Sequence, residues 1–152
     1  MTKVYLICDS ETIVNILPDV AKKLKQEILD IKCTVDYAAS RLDIPLKIQQ
    51  NAVKSDIVFV FVLYPKETSD ISILLTKLID LELELKKPII KAVKESELEE
   101  ISDSAELNEE KNSLAVKWAN YILRFIKKPE SFSPQYSSKE DEQEFGSYAP
   151  FK

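Results

Sequence analysis

The chain has 152 residues, 45% of them hydrophobic and 31% charged, with a formal net charge of −5. That length and balance suit one globular domain with a core of its own and argue against a chain disordered throughout. The negative charge, with no Lys/Arg cluster interleaved with aromatics on one face, argues against nucleic-acid binding. No apolar run of about 18 residues offers a membrane span, and no basic segment leads into an apolar one as in a signal peptide, so the expected location is the cytoplasm.

In chain order, residues 3–8 (KVYLIC) form a short apolar run closed by Asp9 and Ser10, which are turn and capping types; the run predicts a buried strand. Ile13, Leu17, Val20, Leu24 and Ile28 then recur at helical spacing, with Lys22, Lys23, Lys25 and Gln26 on the wet face. Pro18 sets either the start of this helix or a kink in its first turn. Residues 31–35 predict the second strand, 36–41 a loop, and Asp43-Ile44-Pro45-Leu46 the opening of a second helix that runs to about residue 54.

Residues 56–63 (DIVFVFVL) are continuously β-branched and aromatic, as expected of a strand covered on both faces of a parallel sheet. A loop at residues 64–67 leads to Ile71, Leu74, Leu75, Leu78, Leu81, Leu83 and Leu85, a helix apolar around much of its circumference and therefore expected to bury two faces. Residues 88–93 predict the fourth strand. Residues 94–108 read as acidic and irregular or short-helical, and Leu114, Trp118, Tyr121, Ile122 and Phe125 mark the last long helix. This alternation is that of the α/β class, with right-handed crossovers, a parallel sheet and helices on both faces. The domain is placed at residues 1–127 and a C-terminal extension at 128–152. That extension reads either as a flexible end or as an arm whose Phe132, Tyr136, Phe145, Tyr148 and Phe151 dock on a neighbouring subunit.

Missing residue types narrow the chemistry. The single glycine, Gly146, stands near the C-terminus, so no glycine-rich turn cradles a pyrophosphate after a strand. With no histidine, the usual general base near neutral pH, the usual zinc ligand and the Ser-His and Cys-His nucleophile pairs are all excluded. Cys8 and Cys33 fall at the end of the first strand and within the second, where thiols are expected to be buried, reduced and inert. No cluster has metal-ligand spacing, and neither a metal nor a cofactor is expected.

The order of elements, the Asp43-Ile44-Pro45-Leu46 helix opening, the strand ending in Leu63-Tyr64-Pro65 and the Lys128-Pro129-Glu130 step after the last helix together resemble archaeal riboflavin synthase and its relative lumazine synthase. Lumazine synthases open the second helix with a Gly-Ala-Phe-Glu-Ile-Pro-type segment, and archaeal riboflavin synthases with Lys-Asp-Leu-Pro, which Leu42-Asp43-Ile44-Pro45 approaches more closely. The resemblance spans nearly the whole chain. It implies a flavodoxin-like three-layer α/β/α fold with a four-stranded parallel sheet, a homo-oligomer built as a pentamer or from pentamers, and intersubunit sites for a lumazine or flavin ligand.

Three segments would form each site. The loop after the first strand offers Asp9, Ser10, Glu11 and Thr12, without the stacking aromatic of lumazine synthases. The second-helix opening offers Asp43 to ribityl hydroxyls. The loop after the third strand offers Lys66, Thr68 and Asp70, the last standing where lumazine synthases place a histidine base. Without that histidine, the aromatic and the loop glycine, the resemblance implies riboflavin synthase chemistry, the transfer of a four-carbon unit between two oriented lumazines. No catalytic residue is assigned.

Each of these residues also has a plainer role. Asp9 and Ser10 suit a helix cap, Asp43 an ordinary helix start, Asp70 the positive end of the third helix, and Trp118 and Tyr121 a core or interface. Two other functions fit the pattern. A receiver-like phosphoacceptor domain would use Asp9 and Glu11, but Val60-Phe61-Val62 supplies no aspartate late in the third strand. A noncatalytic assembly protein would need only the apolar third helix and the aromatic tail.

Overall fold

The computed structural model describes residues 1–133. Four strands, Thr2–Asp9 (β1), Ile31–Ala38 (β2), Ile57–Tyr64 (β3) and Ile89–Glu95 (β4), alternate with helices Leu17–Glu27 (α1), Ile44–Asn51 (α2), Ser69–Leu85 (α3) and Ser104–Lys127 (α4). All strand pairs are parallel and the sheet order is β2-β1-β3-β4. The fold is a flavodoxin-like three-layer α/β sandwich, and its sheet is parallel as the alternation predicts. β1 pairs with β3 through Val4↔Ile57 to Cys8↔Phe61, so the two central strands end together.

Every residue of β3 is buried. Because side chains alternate across a strand, its two sets serve two separate layers. On one face Tyr5, Ile7, Val58, Val60 and Val62 pack with Ile44 and Ile48 of α2 and Ile71, Leu74, Leu78 and Leu81 of α3. On the other, the Phe59 ring lies 5.8 Å from Trp118 and 6.3 Å from Phe61. α1 packs on β1 and β2 with Leu17, Val20, Ala21 and Leu24 buried. At about 1.5–3 kcal/mol for each fully buried large apolar side chain, the four inward residues of α3 hold it far more firmly than helix propensity would.

Several boundaries differ from expectation for local reasons. α1 starts at Leu17, with Pro18 in its first turn, so the proline begins the helix and does not kink it. Asn15 Oδ1 accepts the Leu17 N–H at 3.1 Å and the N-cap is Ile16, so neither Asp9 nor Ser10 caps the helix. β2 continues to Ala38 through Ile7↔Asp36, Cys8↔Tyr37 and Asp9↔Ala38; as an edge strand it tolerates the polar residues that made 36–41 read as loop. The same edge position leaves Cys33 only half-buried, whereas Cys8 is buried; both are free thiols. α2 ends at Asn51, short of residue 54, and is preceded by a 3-10 turn at Arg41–Asp43. The stretch read as irregular or short-helical holds a 3-10 turn at Leu98–Glu100 and the start of α4 at Ser104, where Asp103 Oδ1 accepts the Ala105 N–H at 2.9 Å.

The chain divides into two compact units, Met1–Ala119 and Asn120–Lys152. In the second unit Phe132 lies 5.4 Å from Tyr121 and 5.3 Å from Phe125, with the Arg124 guanidinium 4.5 Å above its ring. Arg124 also donates to Ser131 Oγ and to the Ser131 carbonyl, at 2.6 and 2.8 Å. Phe132 thus packs within its own unit. Tyr136, Phe145, Tyr148 and Phe151, the other aromatics of the expected arm, lie outside the described residues. No helix among the described residues is long and apolar enough to cross a membrane.

Candidate functional site at the ends of the central strands

In an open parallel sheet the crevice forms beyond the carboxyl ends of the strands, where successive crossovers leave in opposite directions. Here that point lies between β1 and β3, and the loop after β1 bridges it. On one side Ser10 donates its N–H to the Ala38 carbonyl at 3.0 Å and its hydroxyl to the Ala39 carbonyl at 2.7 Å. On the other, the Leu63 N–H donates to Thr12 Oγ1 at 2.8 Å, and the Ile13 N–H to the Leu63 carbonyl at 3.0 Å. The Ser96 N–H donates to the Tyr64 carbonyl at 2.9 Å, which fixes the end of β4 beside it.

Arg41 occupies the centre of this end of the sheet. It opens the turn before α2 and is only 7% exposed. Its Nε lies 3.4 Å from Asp9 Oδ2 and 3.9 Å from Asp70 Oδ2, and its Nη2 lies 3.6 Å from Glu11 Oε2. One guanidinium therefore joins three carboxylates drawn from the end of β1, the loop after it and the first turn of α3. Asp9 is the innermost, 2% exposed; Glu11 faces solvent. Among the described residues neither oxygen of Asp9, nor Arg41 Nε, has a hydrogen-bond partner. Burial raises the Asp9 carboxyl above its ordinary range, and the Arg41 charge only partly offsets that.

Neighbouring groups follow the same physics. Thr68, the N-cap of α3, donates its hydroxyl to Asp70 Oδ1, which orients the carboxylate that meets Arg41. Burial, with the charges of Glu67 and Glu95, raises the Tyr64 phenol; Arg41 opposes the shift. Burial and the adjacent Asp9 push the Cys8 thiol up to about 12, so it stays protonated near neutral pH, in keeping with its expected inertness.

Of the six residues singled out from sequence, Asp9 and Asp70 meet at Arg41, and Thr68 joins them through Asp70. Ser10 is spent on β2. Asp43 Oδ2 accepts from Ser40 Oγ at 3.2 Å and makes no side-chain capping bond, although the residue is the N-cap of α2. Lys66 is exposed and forms no ion pair with the described residues. The residue missed was Arg41 itself. The available signal was its spacing: Arg41, Ile44 and Ile48 are all buried and lie three and four positions apart, on one inward stripe.

A separate cleft of about 570 Å³ lies past the ends of β3 and β4, lined by Leu63, Leu98, Ile101, Leu114 and Trp118 with Lys117 at its side. It contains none of the residues singled out from sequence. Among the described residues no cluster of side chains is arranged to hold a metal ion. The Arg41 centre can therefore offer carboxylates, hydroxyls and a guanidinium for binding and orientation. Comparison with protein-family models and with curated proteins finds no match.

Proposed function

We propose that the chain is a riboflavin-synthase-like enzyme of the cytoplasm, acting as a homopentamer and converting 6,7-dimethyl-8-ribityllumazine at intersubunit sites. One observation carries this reading. The three segments from which the resemblance draws its site, the loop after β1, the opening of α2 and the loop after β3, converge on Arg41 at the crevice of the sheet. A donor-rich ribityl chain suits the exposed carboxylate of Glu11 and the half-buried one of Asp70, which accept hydroxyl hydrogens. Four-carbon transfer between two lumazines depends mainly on holding them in register, and a site rich in fixed polar groups without histidine is suited to that task.

The noncatalytic assembly remains the second reading, favoured by Ile73, Ile79 and Leu83 on the outer side of α3, which are 49%, 48% and 74% exposed. Binding of the lumazine, followed through its own fluorescence with light scattering on the same samples, tests the proposal. Saturable binding by a pentamer is expected, weakened about tenfold by Asp70→Ala, a loss on the scale of a charge-assisted hydrogen bond. A pentamer that does not bind the lumazine favours the assembly protein, and unchanged affinity in the variant removes Asp70 from the site.

A further inference from the structure

We infer that a basic groove between α1 and the edge strand β2 docks an extended acidic segment of a partner protein, which pairs with the outer edge of β2. This goes beyond the ligand site proposed above, and none of the residues lining the groove meets Arg41. The groove, of about 770 Å³, is floored by Pro18, Ala21, Val35 and Tyr37 and flanked by Lys22 and Lys25. Asn15 Nδ2 donates to the Tyr37 hydroxyl at 2.9 Å, which fixes that ring as a wall. In a chain of net charge −5, the charge here has the opposite sign. Asp19, Glu27 and Asp36, the acidic residues of α1 and β2, are each paired already, with Lys111, Lys23 and Lys47 at 3.9, 3.6 and 3.7 Å. Lys22 and Lys25 are exposed and have no ion pair among the described residues, so the groove presents uncompensated positive charge.

A second observation gives the partner its extended shape. The Thr2 N–H donates to the Asp30 carbonyl and the Ser10 N–H to the Ala38 carbonyl, so the even-numbered residues along β2 turn their backbone groups toward β1. Backbone groups alternate in direction along a parallel strand, which leaves those of Ile31, Cys33, Val35 and Tyr37 facing outward from the sheet. Asp36 Oδ1 accepts the Tyr37 N–H at 2.8 Å, so the open run is Ile31 to Val35. That run borders the lysines: Lys25 lies close enough to Cys33 for its charge to act on the thiol. No proline interrupts β2, which keeps register with β1 through all eight residues. An added strand pairs there through its main chain and sets every second side chain over the groove. Carboxylates then meet Lys22 and Lys25, and an apolar side chain meets Val35 and Tyr37. A small anion would use the lysines but not this edge.

Titration of the full chain with a fluorescently labelled peptide of alternating glutamate and valine tests the inference. The controls are the same peptide with lysine for glutamate, the same peptide N-methylated at its pairing residues, and inorganic phosphate. The acidic peptide is expected to bind at least about tenfold more tightly than either altered peptide. Lys22→Glu combined with Lys25→Glu should weaken it about tenfold; both side chains are exposed, and a thermal melt checks that the fold is intact. Hydrogen exchange at the Cys33 and Val35 amides should slow in the complex, which contact through charge alone does not produce. No binding of the acidic peptide, equal binding of either altered peptide, or unchanged affinity in the double variant overturns the inference. Binding without added amide protection, or phosphate bound as tightly as the peptide, makes the groove a small-anion surface and overturns it too. Self-assembly that the double variant abolishes would assign the groove to a second copy of this chain instead.

Discussion

Asp9 holds a carboxylate where ionisation is costly, and the direction of its shift fixes how stability responds to pH. Its folded-state value lies above the ordinary 3.8, so the folded protein binds this proton more tightly than the unfolded chain. Its contribution therefore favours folding at low pH and is lost as pH rises from 3.8 through the folded-state value. Asp36 runs the other way. Burial alone would raise it, but the Tyr5 hydroxyl at 2.5 Å, the Tyr37 N–H and Lys47 outweigh burial and hold it below its ordinary value, so its contribution is present above that value and lost on acidification. Chemical denaturation of the wild type and Asp9→Asn across acid to neutral pH should separate the two. The variant is expected to gain stability relative to the wild type as pH rises through the Asp9 window; parallel curves would show that Asp9 does not titrate differently on folding.

At the scale of the element, α3 offers the sharpest contrast between inner and terminal positions. Leu78 is fully buried in the cluster beneath the sheet, and Leu78→Ala should cost about 2–5 kcal/mol through lost transfer energy and a cavity. Lys86 ends the same helix in the left-handed region, with φ at 56°, where a side chain is disfavoured and glycine is the usual occupant. Lys86→Gly should raise stability by up to about 1 kcal/mol. Both are read from denaturant midpoints with an unchanged slope. No glycine or asparagine marked that helix end in the sequence, whereas β3 was legible because both of its side-chain sets are apolar, and α3 because Ile71, Leu74, Leu78 and Leu81 keep helical spacing. Ile13 misled in the opposite sense: it has the spacing of α1 but pairs with Leu63 before the helix begins. The breadth of apolar surface on α3 was also legible, yet Leu83 at 74% exposure has no cover among the described residues.

For the molecule as a whole, alternation foretold a parallel sheet, but the order β2-β1-β3-β4 follows from how crossovers pack and places the crevice between strands that are far apart in sequence. That is why Asp9 and Asp70 could be singled out separately while their link could not. The spacing of Arg41 to Ile44 and Ile48 marks an inward position, but nothing local to it shows that carboxylates from β1 and α3 meet it there. The edge strands are β2 and β4, and Ile73, Ile79 and Leu83 leave apolar surface exposed on α3. The most direct test of the central claim is the stoichiometry of riboflavin formed to 6,7-dimethyl-8-ribityllumazine consumed by the purified protein, resolved by chromatography. Transfer of a four-carbon unit between two lumazines predicts one riboflavin for every two consumed, at a rate above that without protein. Lumazine left unchanged beyond its uncatalysed rate, in a protein that is folded and assembled, would contradict the account.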